Sequence, residues 1–258
     1  MNTSFFSIIT CTRNSEKFIR RNIESVKMQT YRNFEQVFID GDSIDSTEMV
    51  IKEYLRHDPG RYHLFVFPPK GISEAFNRGI EVSRGRYILF LNSDDSFYDR
   101  DVLADVHKHL QENTDKDWIH GIINVTEENG DRIGRFPKYK IFEYSSTFLL
   151  KLFNYIPHQA VFMKRKVFEK FGLFDEGLSS KMDYEYWLRI ADKTNWQFID
   201  RVISNYTIRK GAKTSSRKNR QENEANLKIV QRRHLNSVEY ALARIVYGPV
   251  HLLNRTTR

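Results

Sequence analysis

Hydrophobic and polar positions alternate along this chain in blocks that resolve into strands and helices. Phe5–Cys11 is a continuous apolar run rich in β-branched residues, as in a strand buried on both faces. Ser15 then stands where it can cap a helix whose inner face is Phe18, Ile19, Ile23 and Val26. Glu35–Asp40 is a second strand. Asp45 and Glu48 have capping-box spacing, and Val50, Ile51, Tyr54 and Leu55 follow at helical steps. Tyr62–Phe67 is a third strand, stopped by Pro68 and Pro69. Ser73–Ser83 is a helix with Phe76 and Ile80 inward, terminated near Gly85, and Arg86–Leu91 is a fourth strand. This repeated alternation predicts a parallel sheet with right-handed crossovers.

The second half is less regular. Asp101–Glu112 reads as a helix, Trp118–Val125 as a strand, and residues 126–150 as an aperiodic stretch containing a surface loop. Lys164–Phe171 is a short helix stopped by Gly172. Met182–Thr194 is a helix with Tyr184, Trp187, Leu188 and Ala191 inward. Trp196–Arg209 alternates as a strand does, and Gln221–Val246 reads as one long helix before Gly248 and Pro249.

Length and composition narrow the class. The chain has 258 residues, 40% of them hydrophobic and 14% aromatic, which supports a large α/β domain with a short appendage and excludes global disorder. The lone Cys11 excludes an intrachain disulfide and CxxC metal sites, and its apolar setting marks it as a packing residue. The N-terminus lacks a secretory pattern and no apolar run is long enough to span a bilayer, so a cytoplasmic location is expected. The net charge of +8 is uneven: residues 209–258 hold 12 Lys/Arg against 3 Asp/Glu, net +9, which leaves the rest at −1. A nucleic-acid-binding body would carry its basic residues on the folded part.

In parallel sheets ligands collect at the carboxyl ends of the strands. Here those ends carry Thr12 and Asn14, then Asp40 and Ser43, then Lys70 and Gly71, then Asn92 to Asp95. Each group alone is ordinary turn chemistry, but four share one edge. The adjacent Asp94 and Asp95 repel each other unless a cation lies beside them, as when Mg²⁺ bridges carboxylates and a diphosphate. Asp40 stands where a carboxylate can accept from a base or ribose. Asp183 opens a helix, whose N-terminus favours the ionised form of a general base. His158 is a candidate contact to substrate or metal. Walker A, GxGxxG, HExxH and GxSxG motifs are all absent from the sequence.

In order, FSIITCTRN (Phe6–Asn14), VFIDGDSIDST (Val37–Thr47), GISEAFNRG (Gly71–Gly79), GRYILFLNSDD (Gly85–Asp95), HQAVFM (His158–Met163), GLFDE (Gly172–Glu176) and DYEYWLR (Asp183–Arg189) resemble family 2 inverting glycosyltransferases of the bacterial surface-polysaccharide type. The resemblance implies a GT-A fold, Rossmann-like with a mostly parallel central sheet flanked by helices, over residues 1–215. Residues 1–100 would form the nucleotide-binding half and 101–215 the acceptor half, followed by a basic helical tail over 216–258. It also implies a nucleotide-sugar donor, most commonly a UDP-sugar, and a polyprenyl-diphosphate-linked glycan acceptor. Thr12 and Asp40 would contact the nucleobase, and Asn14 and Ser43 the ribose or nearby backbone. Lys70 and Gly71 would flank the nucleotide, and Asp94 would approach the ribose or donor sugar. Asp95 would bind Mn²⁺ or Mg²⁺, and Asp183 would be the catalytic base. Two positions depart from the family pattern: Asn92 replaces its first acidic residue, and Met182 replaces the Glu that often precedes the base.

In the tail, Leu227, Val230, His234, Val238, Ala241, Leu242, Ile245 and Val246 recur at helical steps beside Lys228, Arg232, Arg233 and Arg244. Such a helix can lie on an anionic membrane, here the inner face of a bacterial inner membrane, or pack on the enzyme body or a second subunit. Three other readings compete. A nucleotidyltransferase would need a glycine-rich loop after its first strand. A nucleic-acid-binding protein would need a basic body, and an inactive scaffold would not need Asp40, Asp94, Asp95 and Asp183.

Overall fold

A computed structural model of the chain describes residues 4–138, 145–209 and 217–253. The first half runs β1 (Phe6–Thr12), α1 (Glu16–Lys27), β2 (Phe34–Asp40), α2 (Thr47–His57), β3 (Tyr62–Val66), α3 (Ile72–Val82) and β4 (Tyr87–Phe90). Every residue of β2 and β4 is buried, which explains their unbroken apolar runs. The strands pair in parallel in the order β3-β2-β1-β4. The chain thus proceeds outward from β1 on one side, then returns to its other side. Loops from the two directions diverge between β1 and β4, and that crevice is where an open α/β sheet binds ligands.

The layers follow from the alternation of side chains. Ile19 and Ile23 of α1 and Ile51 and Tyr54 of α2 cover Phe38 on one face. Phe76 and Ile80 of α3 cover Ile9, Val37, Ile39 and Phe90 on the other. Gly79 lets α3 approach closely, since a Cβ there would lie 2.3 Å from Ile9 Cγ2. The expected capping box before α2 does not form. Asp45 Oδ1 instead accepts from Thr47 N and Oγ1, and Glu48 pairs with Lys52 one turn on.

The second half runs β5 (Ser96–Phe97), α4 (Val102–Glu112), β6 (Trp118–Thr126), β7 (Arg132–Phe136) and α5 (Thr147–Leu152). A 3-10 turn at His158–Ala160 leads into β8 (Val161–Lys164), α6 (Arg165–Phe171) and α7 (Met182–Ile190). A second 3-10 turn, Ala191–Lys193, precedes β9 (Trp196–Thr207). The sheet continues β4-β8-β6-β9-β5, with β7 on β6. Direction reverses at β4–β8, and β8 pairs antiparallel with both neighbours. The start of β8 therefore lies at the edge where β4 ends. Trp118 stacks between Trp187 and Trp196, with centroids at 5.5 and 4.7 Å, and anchors this half.

Two expectations change here. The aperiodic stretch 126–150 holds β7 and the start of α5, neither of which its pattern predicted; residues 139–144 fall outside the described set. The tail is two helices, α8 (Arg217–His234) and α9 (Ser237–Leu253), with α9 running through Gly248 and Pro249. Asn236 makes the break. Its Oδ1 accepts from Val238 N and Glu239 N, while Glu239 Oε2 accepts from Asn236 N, a reciprocal cap that starts a new helix. The apolar stripe divides accordingly. Leu227, Val230, Leu235 and Ala243 join the core, whereas Val238, Leu242 and Ile245 face outward at 69%, 40% and 69% exposure.

Candidate functional site

The first cluster forms where β1 and β2 end side by side, with Thr12 paired to Asp40 in register. Thr12 Oγ1 donates to Asp40 Oδ1 at 2.6 Å. Ser43 donates its Oγ to Asp40 Oδ1 at 2.7 Å and its N–H to Oδ2 at 2.8 Å. Asn14 N donates to Ser43 Oγ, and Asn14 Oδ1 accepts from Ile44 N. Four of the expected residues are thus one hydrogen-bonded unit. Asn14 and Asp42 hold φ of 49° and 57°, a left-handed conformation that Asn and Asp tolerate better than most residues. Phe67 N bonds to Asp40 O, so the loop carrying Lys70 and Gly71 begins at this cluster. Both residues are exposed, and neither joins the hydrogen-bonded unit.

The second cluster is the loop after β4. Asn22 of α1 is buried and reaches across with Nδ2 to the carbonyls of Asn92 and Asp95 at 2.9 and 3.0 Å. Its Oδ1 accepts from Gln36, which also donates to Thr10. This buried chain fixes the backbone that presents the acidic pair, and sequence reasoning missed it. Its only signal was a polar residue on an otherwise apolar helix face. Ser15 and Ser93 hydroxyls lie 2.9 Å apart and join the two clusters.

Asp95 is fully buried. Its Oδ1 accepts from Thr207 N at 3.2 Å, Gln159 stands close enough to favour the carboxylate, and its Oδ2 has no partner within hydrogen-bond geometry among the described residues. Burial first, and the neighbouring Asp94 charge second, push its carboxyl well above the ordinary Asp value. A buried carboxylate oxygen without a partner is costly and suits a cation. Among the described residues no three His, Cys, Asp or Glu side chains converge as a complete metal cage. That fits a Mg²⁺-type ion that takes one or two carboxylates and fills its remaining positions from substrate phosphates and water. Asp94 Oδ2 pairs with Arg209 Nε at 2.6 Å, and Arg21 donates to Asp94 O and Thr207 Oγ1. Arg209, two residues beyond β9, is a second residue that the sequence did not single out.

The third cluster arises from the reversal at β8. His158 Nε2 lies 3.1 Å from Asn92 Nδ2, and His158 Nδ1 lies 3.5 Å from Asp183 Oδ2. His158 therefore links the acidic loop to the first turn of α7. Asp183 Oδ1 accepts from Tyr184 N. Burial acts to raise the Asp183 carboxyl, but His158, Lys181 and the Tyr184 N–H outweigh it and hold the group below its ordinary value. Asp183 is thus ionised across the neutral range. Cys11 packs beside the core, and burial followed by the Glu74 charge raises its thiol pKa, so it is no nucleophile.

The chain resembles known proteins in both sequence and fold. Residues 7–172 match the model of glycosyl transferase family 2, well over half of the chain. An uncharacterized glycosyltransferase of Methanocaldococcus jannaschii is 27% identical over 81% of this chain and 72% of its own length. A PGL/p-HBAD biosynthesis glycosyltransferase of Mycobacterium tuberculosis is 29% identical over 80% and 72%. Among solved structures, S. aureus TarS in complex with UDP-GlcNAc superposes with a TM-score of 0.67 at 19% identity, covering 87% of this chain and 65% of that one. A mannosyltransferase of Pyrobaculum calidifontis with GDP-Man and Mn²⁺ gives 0.69 at 17%, covering 95% and 69%. The chain spans just under two thirds of the TarS 1–349 structures it matches and 38% of the longer TarS structure. An α/β sheet with its polar residues gathered at the β1–β4 crevice, matched along most of its length by one family, identifies the chain as a member of glycosyl transferase family 2 with the GT-A fold.

Proposed function

We propose that the protein moves a sugar from a UDP-sugar to a glycan acceptor carried on a polyprenyl diphosphate, with inversion at the anomeric carbon. The observation that carries this reading is the link from the Asp94–Asp95 loop through Asn92 and His158 to Asp183. It spans a donor end and a base end within one crevice. Thr12 and Asp40, steadied by Ser43 and Asn14, bind the nucleobase and ribose. Lys70 and Gly71 flank the nucleotide, and Asp94 meets the ribose or donor sugar. Asp95, with its partnerless Oδ2, holds Mn²⁺ or Mg²⁺. The metal, when bound, supplies Lewis-acid neutralisation of the departing diphosphate. Asp183 accepts the acceptor hydroxyl's proton as its oxygen bonds to the anomeric carbon and the bond to the diphosphate oxygen breaks. His158 orients that carboxylate. A lipid-borne acceptor brings the enzyme to a membrane surface, and the outward Val238, Leu242 and Ile245 of α9 suit such an interface. Among the described residues no helix is long and apolar enough to cross a membrane.

The test is UDP binding by calorimetry, with and without Mn²⁺, in the wild type and Asp95→Ala. Mn²⁺-dependent binding lost in the variant is the expected result. A wild type silent to UDP, GDP and dTDP overturns the donor site and favours an inactive scaffold.

A further inference from the structure

Asp183 lies in the first turn of α7, yet α7 does little to fix where that turn begins. Lys181, just before it, has φ 65° and provides no side-chain cap. A lysine in the left-handed region is strained and persists only where neighbours impose it. Those neighbours come from two helices. On one side, Ser73 and Asn77 of α3 donate to the carbonyls of Leu178 and Phe174 at 2.8 and 3.0 Å. On the other side stands α8, which belongs to the basic tail.

Asn226 of α8 donates from Nδ2 to Ser179 Oγ at 2.9 Å and Ser180 Oγ at 3.1 Å. Glu222 accepts from Ser179 Oγ, and Arg233 pairs with Asp175. His234 Nε2 meets Glu185 Oε1 at 2.9 Å, two residues beyond Asp183. Arg189 holds the same carboxylate through its Nε at 3.2 Å. Burial acts to raise the Glu185 carboxyl, but the contacts from His234 and Arg189 hold it down at about 2. Leu227 and Val230 anchor α8 in the core. The tail helix thus grips both the approach to α7 and its first turn.

We propose that α8 is a positioning element for the transfer reaction, setting through Asn226 and His234 the start of α7 and hence the aim of the Asp183 carboxylate. This rests on the reading of Asp183 as the base. General-base chemistry is sensitive to placement, and an error of about 1 Å can cost about 100-fold in rate. Among the described residues, the cluster around Thr12, Asp40 and Asp95 receives no hydrogen bond from α8, so loosening the grip is expected to leave donor binding unchanged.

The experiment uses the full chain and compares His234→Leu, Asn226→Leu and His234→Gln with Asp183→Asn. Readouts are UDP release during transfer from the donor selected from a UDP-sugar panel, calorimetric UDP affinity and stoichiometry, and hydrogen exchange across residues 175–187. Each Leu variant is expected to lower kcat about 10-fold, with faster exchange in that segment and UDP affinity and stoichiometry within twofold of wild type. His234→Gln keeps an N–H near the Nε2 position and restores kcat. Unchanged kcat in both Leu variants, or UDP affinity falling in step with kcat, overturns the proposal. Full activity in Asp183→Asn overturns the base assignment and the positioning role with it. An inactive Asp183→Asn beside fully active Leu variants overturns the positioning role alone.

Discussion

His120 lies on β6, fully buried, and among the described residues neither ring nitrogen has a partner within hydrogen-bond geometry. Trp118, Tyr155, Trp196 and Phe198 surround it at centroid distances of 5.4 to 6.4 Å. Burial pushes its pKa from 6.5 down to about 3. The folded protein therefore keeps a neutral ring at pH values where the unfolded chain binds a proton. Protons taken up by the unfolded state favour unfolding, so this stability is complete above pH 6.5 and declines as pH falls toward 3. Each pH unit across that window is worth about 1.4 kcal/mol, which gives about 2 kcal/mol between pH 7.5 and 5.0. His120→Leu removes the titrating group at similar volume. Urea unfolding at both pH values, in both proteins, isolates the effect as a difference of differences. The wild type should lose about 2 kcal/mol more than the variant over this range, whatever their relative stability at pH 7.5. Parallel losses would refute the reasoning and mean that water or a neighbour reaches the ring.

Four further outcomes follow from the site and its frame. Asn22→Leu removes the side-chain donor of the Asp95 carbonyl and one bond each from the Asn92 carbonyl and the Gln36 amide; a loss of about 1–3 kcal/mol by urea unfolding is expected, with weakened UDP binding. Gly85→Ala places a Cβ 2.5 Å from Ser7 N, so a comparable fall in thermal midpoint is expected, checked by calorimetry. Cys11 should resist thiol reagents in the folded protein and react at once in urea, because burial keeps its thiol protonated. Glu substitutions at Val238, Leu242 and Ile245 should abolish flotation with anionic liposomes while leaving UDP binding intact; no flotation by the wild type removes the membrane proposal.

The parallel half of the fold was legible because its elements obey local rules. Buried strands show continuous apolar runs, and α1 and α3 bury one stripe each. Thr12, Asp40, Asp94 and Asp95 were legible for the same reason, since sheet polarity carries every strand end to one edge. What escaped was long-range or exchanged one local signal for another. β7 has an exposed, charged sequence and is a strand only because β6 offers it a ladder. Asn236 looked like one more polar residue in a long helix, yet its side chain outcompetes helix continuation. Arg209 and Asn22 act on loops about 70 residues or more away, beyond any periodicity. His158 was noticed, but its link to Asp183 required the reversed direction of β8.

That shared polarity leaves the opposite rim of the sheet far from the candidate site. The turn Asp58–Arg61 enters β3 from that rim, and Pro59 and Gly60 are exposed there. A fluorophore or affinity handle inserted between them would ride on the protein away from the strand-end clusters, because the insertion faces solvent at a loop tip. The molecule therefore offers a built-in place for a label that leaves the candidate site untouched.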